Sequence, residues 1–97
     1  MLNKEKILGI ISEHQSSLQQ KYPLKSIALF ESYARGEQQI DSDIDLLVDF
    51  TRPVGMEIVD LAIELEEILR QRVDIITYNA IKNRLYHRIK DELVHFI

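Results

Sequence analysis

The chain has 97 residues and no cysteine, with 12 Lys and Arg against 16 Asp and Glu. That length suits one hydrophobic core and no second one, so a single domain over residues 1–97 is expected, without disulfides or thiolate metal sites. A net charge of −4 argues against non-specific nucleic-acid binding, which needs a positive field, and suits a basic protein partner better.

Ile7, Ile10, Ile11, His14 and Leu18 fall at helical spacing, so a first amphipathic helix is expected over 3–20 with Asn3 as its N-cap. His14 lies on that apolar stripe and reads as a packed or half-buried histidine. Tyr22-Pro23 ends the helix, because a residue before proline is pushed out of helical geometry. Residues 25–30 read as a short strand, 32–35 as a short helix stopped near Gly36, and 37–42 as a polar connection into a second strand over 43–50. Pro53 and Gly55 make 51–55 a loop. Ile58, Leu61, Ala62, Leu65, Ile68 and Leu69 mark a strongly periodic helix, and 73–77 a third strand. Ile81, Leu85, Ile89 and Leu93 then predict a closing helix, whose basic residues Lys82, Arg84, Arg88 and Lys90 read as a solvated face. The order α-β-α-β-α-β-α describes a small α/β domain with helices on a short sheet. No start of the chain resembles a signal peptide and no apolar run reaches spanning length, so a soluble cytoplasmic protein without membrane contact is expected.

The chemistry concentrates in residues 30–50, FESYARGEQQIDSDIDLLVDF. Asp43 and Asp45 flank one isoleucine, and residues two apart on a strand share a face about 6–7 Å apart. Both carboxylates are therefore expected on one exposed face, opposite Ile44, Leu46, Val48 and Phe50. Carboxylates are hard oxygen ligands suited to Mg²⁺, and Mg²⁺ binds nucleotide triphosphates. A calcium loop opening at Asp41 fails, because Leu46 stands where its glycine is needed and Arg52 where its glutamate is needed. Asp49 shares the face of Asp45 but lies farther along and reads as structural or exposed. His87 and His95 have no ligand spacing with the acids.

Ser32, the ten residues from Tyr33 to Ser42, the Asp43-Ile44-Asp45 triplet and Asp74 on the third strand together resemble the minimal nucleotidyltransferases of the DNA polymerase β superfamily. Their signature is Gly-Ser, ten residues, then Asp-x-Asp, with a third acid on a later strand. The resemblance runs from about Leu24 to the end of the chain. It implies the small nucleotidyltransferase fold, α+β with a short mixed sheet and about four helices. It also implies Asp43 and Asp45 as catalytic metal ligands for Mg²⁺, Asp74 as the catalytic acid that completes that metal site or takes the proton of the acceptor hydroxyl, and Ser32, Arg35 and Ser42 as nucleotide-binding residues. Short members of this kind resemble antitoxins that silence HEPN-type ribonuclease toxins by transferring AMP from ATP to a toxin tyrosine. An inhibitor acting by contact alone is the alternative, and a nucleotidyltransferase acting on a small molecule a third.

One position departs from that signature. Glu31 stands where the family has glycine, at a strand-to-helix turn where glycine permits positive φ and lets a phosphate approach the backbone. An extra negative charge about 4 Å from a phosphate costs roughly 4 kcal/mol at an effective dielectric near 20. Weaker triphosphate binding and slower transfer are the expected result.

Overall fold

The computed structural model describes residues 2–97. Helix α1 (Lys4–Lys21) opens with the Asn3 side chain accepting a hydrogen bond from the Lys6 N–H at 2.9 Å, as an N-cap should. Tyr22 follows in extended geometry ahead of Pro23. Then come β1 (Leu24–Phe30), α2 (Ser32–Arg35), β2 (Ile44–Phe50), α3 (Glu57–Leu69), β3 (Val73–Thr77), α4 (Asn83–Ile89) and β4 (Val94–His95). The strands form one mixed sheet in the order β3-β2-β1-β4. Strand β1 runs antiparallel to both β2 and β4, while β2 and β3 run parallel through the α3 crossover.

Alternation along the strands divides the core in two. Ile27 and Leu29 of β1, with Ile44, Leu46 and Val48 of β2, face Ile7, Ile11 and Leu18 of α1 and Leu61, Leu65 and Leu69 of α3. Tyr33 and Ala34 bring α2 into this larger cluster. The opposite face carries Phe30 and Leu47, which pack with Ile89 of α4 and with Ile76, Leu85 and Leu93 around it. Lys21 and the Tyr22 hydroxyl both bind the Glu64 carboxylate, at 3.0 and 2.9 Å, tying the end of α1 to α3.

Four features correct the sequence reading. The second strand begins at Ile44, so Asp43 sits just before it. The face of Asp45 is not open, because Leu47 on the same side is fully buried beneath α4. The closing helix ends at Ile89, and Leu93 reaches the same cluster from the chain beyond a turn. Ile81, Leu85, Ile89 and Leu93 keep a spacing of four because all touch one core patch, which is also what a longer helix would produce. The remaining residues add a fourth strand at the free edge of β1, too short to leave a periodic signal.

Covering both faces makes Leu47 a structural residue. Leu47→Ala should lower the unfolding free energy by about 2–5 kcal/mol, as for other buried leucines. Denaturant titration checks this. A loss under about 0.5 kcal/mol, the value for open surface, is what an uncovered face would give.

Candidate functional site

The turn between β1 and α2 is built on an uncommon backbone conformation. Glu31 has φ 62° and ψ −140°, a region that glycine enters freely and side chains rarely do. The expectation that this position calls for glycine is therefore met in the backbone, although glutamate occupies it. Gly36 closes α2 in the left-handed conformation, and the Glu37 N–H reaches back to the Ser32 carbonyl at 2.8 Å. The result is a tight excursion that sets Ser32 at the mouth of the sheet.

Parallel pairing supplies the acids. Asp45 and Asp74 are register partners on β2 and β3, so their side chains leave adjacent strands at the same level. With Glu31, Ser32, Arg35 and Arg88 they line a cleft of about 370 Å³, floored by Phe30, Ile76 and Leu85. Asp43 and Ser42 do not line this cleft; they border a smaller neighbouring one with Gln71 and Arg72. The Asp43 carboxylate pairs with Arg72 at 3.3 Å, and the Ser42 hydroxyl accepts from the Gln39 N–H at 2.8 Å. Among the described residues, no three His, Asp or Glu side chains are already gathered closely enough to enclose a metal ion.

Electrostatics in the cleft are dominated by negative charge. Partial burial, then the charges of Asp74, Glu31 and Asp43, push the Asp45 carboxyl up to about 6, while Arg35 opposes the shift. Arg35 is itself heavily engaged. Its guanidinium binds Glu37 at 2.9 Å, Glu92 at 3.1 Å and Glu31 at 3.3 Å, contacts that hold its pKa above the ordinary arginine value. The other oxygen of Glu31 accepts from Arg88 at 2.6 Å. The Glu92 carboxylate also accepts from the Glu31 backbone N–H.

Arg88 and Glu92 were not separable from their neighbours by sequence reasoning. Arg88 belongs to a basic helix face that reads as solvated, and Glu92 falls where a helix is expected to continue. Their placement follows from strand pairing: Ala28 opposes His95 and Leu29 opposes Val94. Two residues farther along the same antiparallel register, Glu31 meets Glu92. Of the other residues weighed, His14 Nδ1 lies 2.9 Å from the Ile10 carbonyl and is part-buried, and Asp49 pairs with Lys25 at 3.7 Å.

Comparison with known proteins settles the family. Residues 11–96 match the nucleotidyltransferase domain family. The chain belongs to that family. It is 34% identical to protein adenylyltransferase MntA of Thermococcus cleftensis over 96 residues, covering 98% of this chain and 97% of the relative. A solved structure provisionally named a minimal nucleotidyltransferase superposes with a TM-score of 0.80 at 32% identity, covering 96% of this chain and 95% of the other. A variant of the MntA-HpeT toxin-antitoxin complex superposes with a TM-score of 0.67 at 25% identity, covering 98% of this chain and 72% of the other. The mixed sheet with four helices is thus the nucleotidyltransferase fold. Among the described residues no helix is long and apolar enough to cross a membrane.

Two outcomes follow from the site's strain and charge. Glu31→Gly and Glu31→Ala both remove the ion pairs, but only glycine occupies this backbone region without strain. The glycine variant should be the more stable by about 1–2 kcal/mol, the strain relieved less the extra unfolded-state freedom of glycine. Paired thermal melts measure it, and equal melting temperatures would contradict a strained turn. For Asp45, a folded pKa near 6 against an ordinary 3.8 means the folded state holds the extra proton. Its stabilising contribution is present below about pH 4 and lost as pH rises through about 6. Asp45→Asn should therefore flatten the stability profile between those pH values and be more stable than the parent at pH 7. A parent-minus-variant difference that stays constant across that window would rule out the raised pKa.

Proposed function

We propose that this protein is an adenylyltransferase that moves AMP from ATP to a tyrosine of a partner toxin, acting as the antitoxin of the pair. The observation that carries the reading is the side-by-side placement of Asp45 and Asp74 in a cleft that also holds Ser32 at a sharp turn. The name of the Thermococcus cleftensis relative supports the adenylyl group, and the MntA-HpeT complex supports the toxin partner. A HEPN-type ribonuclease as that partner rests on the resemblance of the signature, and the cytoplasm is the compartment that goes with it. The cysteine-free, acidic composition suits both.

The donor set fits a divalent cation. Asp45 and Asp74 are hard oxygen ligands facing one cleft, and the charges of Asp74, Glu31 and Asp43 add to burial in raising the Asp45 pKa. Asp43 would join them on exchanging its contact with Arg72. A bound Mg²⁺ would supply charge neutralisation for the phosphates. In this mechanism Ser32 donates its hydroxyl hydrogen to a phosphate oxygen with Arg35 at the nucleotide's flank, and Ser42, which borders the neighbouring recess, would join them on releasing the Gln39 N–H. The tyrosine oxygen of the acceptor bonds to the α-phosphorus of ATP, the bond to the β-phosphate oxygen breaks, and pyrophosphate leaves. Asp74 holds the acceptor hydroxyl and receives its proton. Ionised Asp45 keeps the site anionic above about pH 6.

Inhibition by contact alone is favoured by one observation, the Glu31 carboxylate held against the arginines that a phosphate would use. Intact mass of a co-expressed partner separates the readings. A gain of one or more AMP units that requires this protein identifies the enzyme, and an unmodified partner in a stable complex identifies the binding module.

Asp45→Asn and Asp43→Asn should each abolish transfer in the same assay while the protein stays folded. Asp74→Asn should lower the transfer rate more than it weakens ATP binding, because holding the acceptor matters chiefly in the transition state. Equal losses in rate and affinity would make Asp74 a nucleotide ligand only.

A further inference from the structure

Four charged side chains beside the cleft form one connected network, Arg88-Glu31-Arg35-Glu92. Glu31 bridges Arg35 at 3.3 Å and Arg88 at 2.6 Å, and Arg35 also binds both oxygens of Glu92, at 3.1 and 3.2 Å. The carboxylates sit inside and the guanidinium groups outside: the side chains of Glu31 and Glu92 are 25% and 19% exposed, those of Arg35 and Arg88 39% and 67%. Glu92 additionally takes the Glu31 backbone N–H. A backbone N–H beside guanidinium groups is a donor set that suits phosphate oxygens, and here the protein's own carboxylates consume it. With Glu37 also on Arg35, three carboxylates face two arginines. No net positive charge is left at the rim for an incoming triphosphate. A strand register, rather than chance contact, holds Glu92 there, because β4 pairs with the edge of β1 immediately before the turn.

We propose that Glu31 and Glu92 are internal stand-ins for nucleotide phosphate, and that Arg35 and Arg88 bind the triphosphate by exchanging these carboxylates for it. Arg88 thereby becomes a nucleotide-binding residue on α4, and Glu92 a built-in competitor that sets the nucleotide concentration at which the cleft fills. This inference rests on the proposed nucleotide site. No bond is made or broken in the exchange, only hydrogen bonds and ion pairs.

The network makes opposite predictions for its two halves. Measured by calorimetric titration with ATP and Mg²⁺, and again with inorganic tripolyphosphate, Glu92→Gln should bind roughly tenfold more tightly than the parent. Arg88→Gln should bind roughly tenfold more weakly. Both break the same network, so a purely structural role would weaken binding in both and overturn the proposal. Asp91→Asn and Lys90→Gln carry the same charge changes on exposed neighbours in the same segment, and should leave affinity near that of the parent. Shifts in these controls equal to those of Glu92→Gln and Arg88→Gln would show a general field effect, which also overturns it. Glu31→Gly separates the two levels of inference. If the parent and Glu31→Gly bind ATP while Glu92→Gln binds no better than the parent, only the exchange fails. If no variant binds ATP or tripolyphosphate, the nucleotide site itself falls, and the exchange with it.

Discussion

Strand β2 must be buried on both faces and still carry a carboxylate. Ile44, Leu46 and Val48 seal one side against α1 and α3, and Leu47 seals the other against α4. Asp45 lies between these constraints, and its parallel pairing with β3 puts Asp74 beside it. The paired acids of the cleft follow from that register. Two carboxylates at one level of a sheet repel each other, and a half-buried setting weakens the solvent screening that would relieve them. Burial first, and the charge of Asp74 second, raise the Asp45 pKa. Hydrophobic burial on either side is what holds the acids in place, so the fold bears a local electrostatic cost at the position where the proposed chemistry needs an anionic site.

The turn after β1 adds a second conflict of a different kind. Its backbone has a conformation that glycine would adopt without strain, and the glutamate that occupies it is held by Arg35 and Arg88. Exposed ion pairs contribute only about 0–1 kcal/mol each, against about 1–3 kcal/mol for the backbone strain. The contacts therefore offset the conformation in part and do not explain it. What they do is turn a charge that opposes phosphate into part of an ordered rim. Strand β4 has a large effect for its length, since two residues paired to β1 bring Glu92 onto the same turn.

Much of the architecture could be read from local pattern. Asn3, Tyr22-Pro23 and Gly36 punctuate the chain through backbone chemistry that acts within a few residues, and the apolar periods of α1 and α3 are long enough to be unambiguous. The closing segment is less legible because Leu93 keeps helical spacing without being helical: periodicity reports which residues meet a core, not the backbone path between them. The open face expected beside Asp45 failed for a related reason. Alternation marks one apolar face clearly, but Leu47 shares its face with two aspartates and looks isolated until α4 is laid over it.

The sequence by itself determined the order of the first seven elements, because that order depends on residue type and near-neighbour spacing, and its resemblance to the nucleotidyltransferase signature implied a glycine-type backbone at residue 31. Only the tertiary structure decided that Asp45 and Asp74 stand in register, that Asp43 and Ser42 border a separate recess, and that Arg88 and Glu92 close on Glu31. Those relations join residues tens of positions apart through strand pairing, and a register is fixed by the packing of whole faces rather than by any short run of residues.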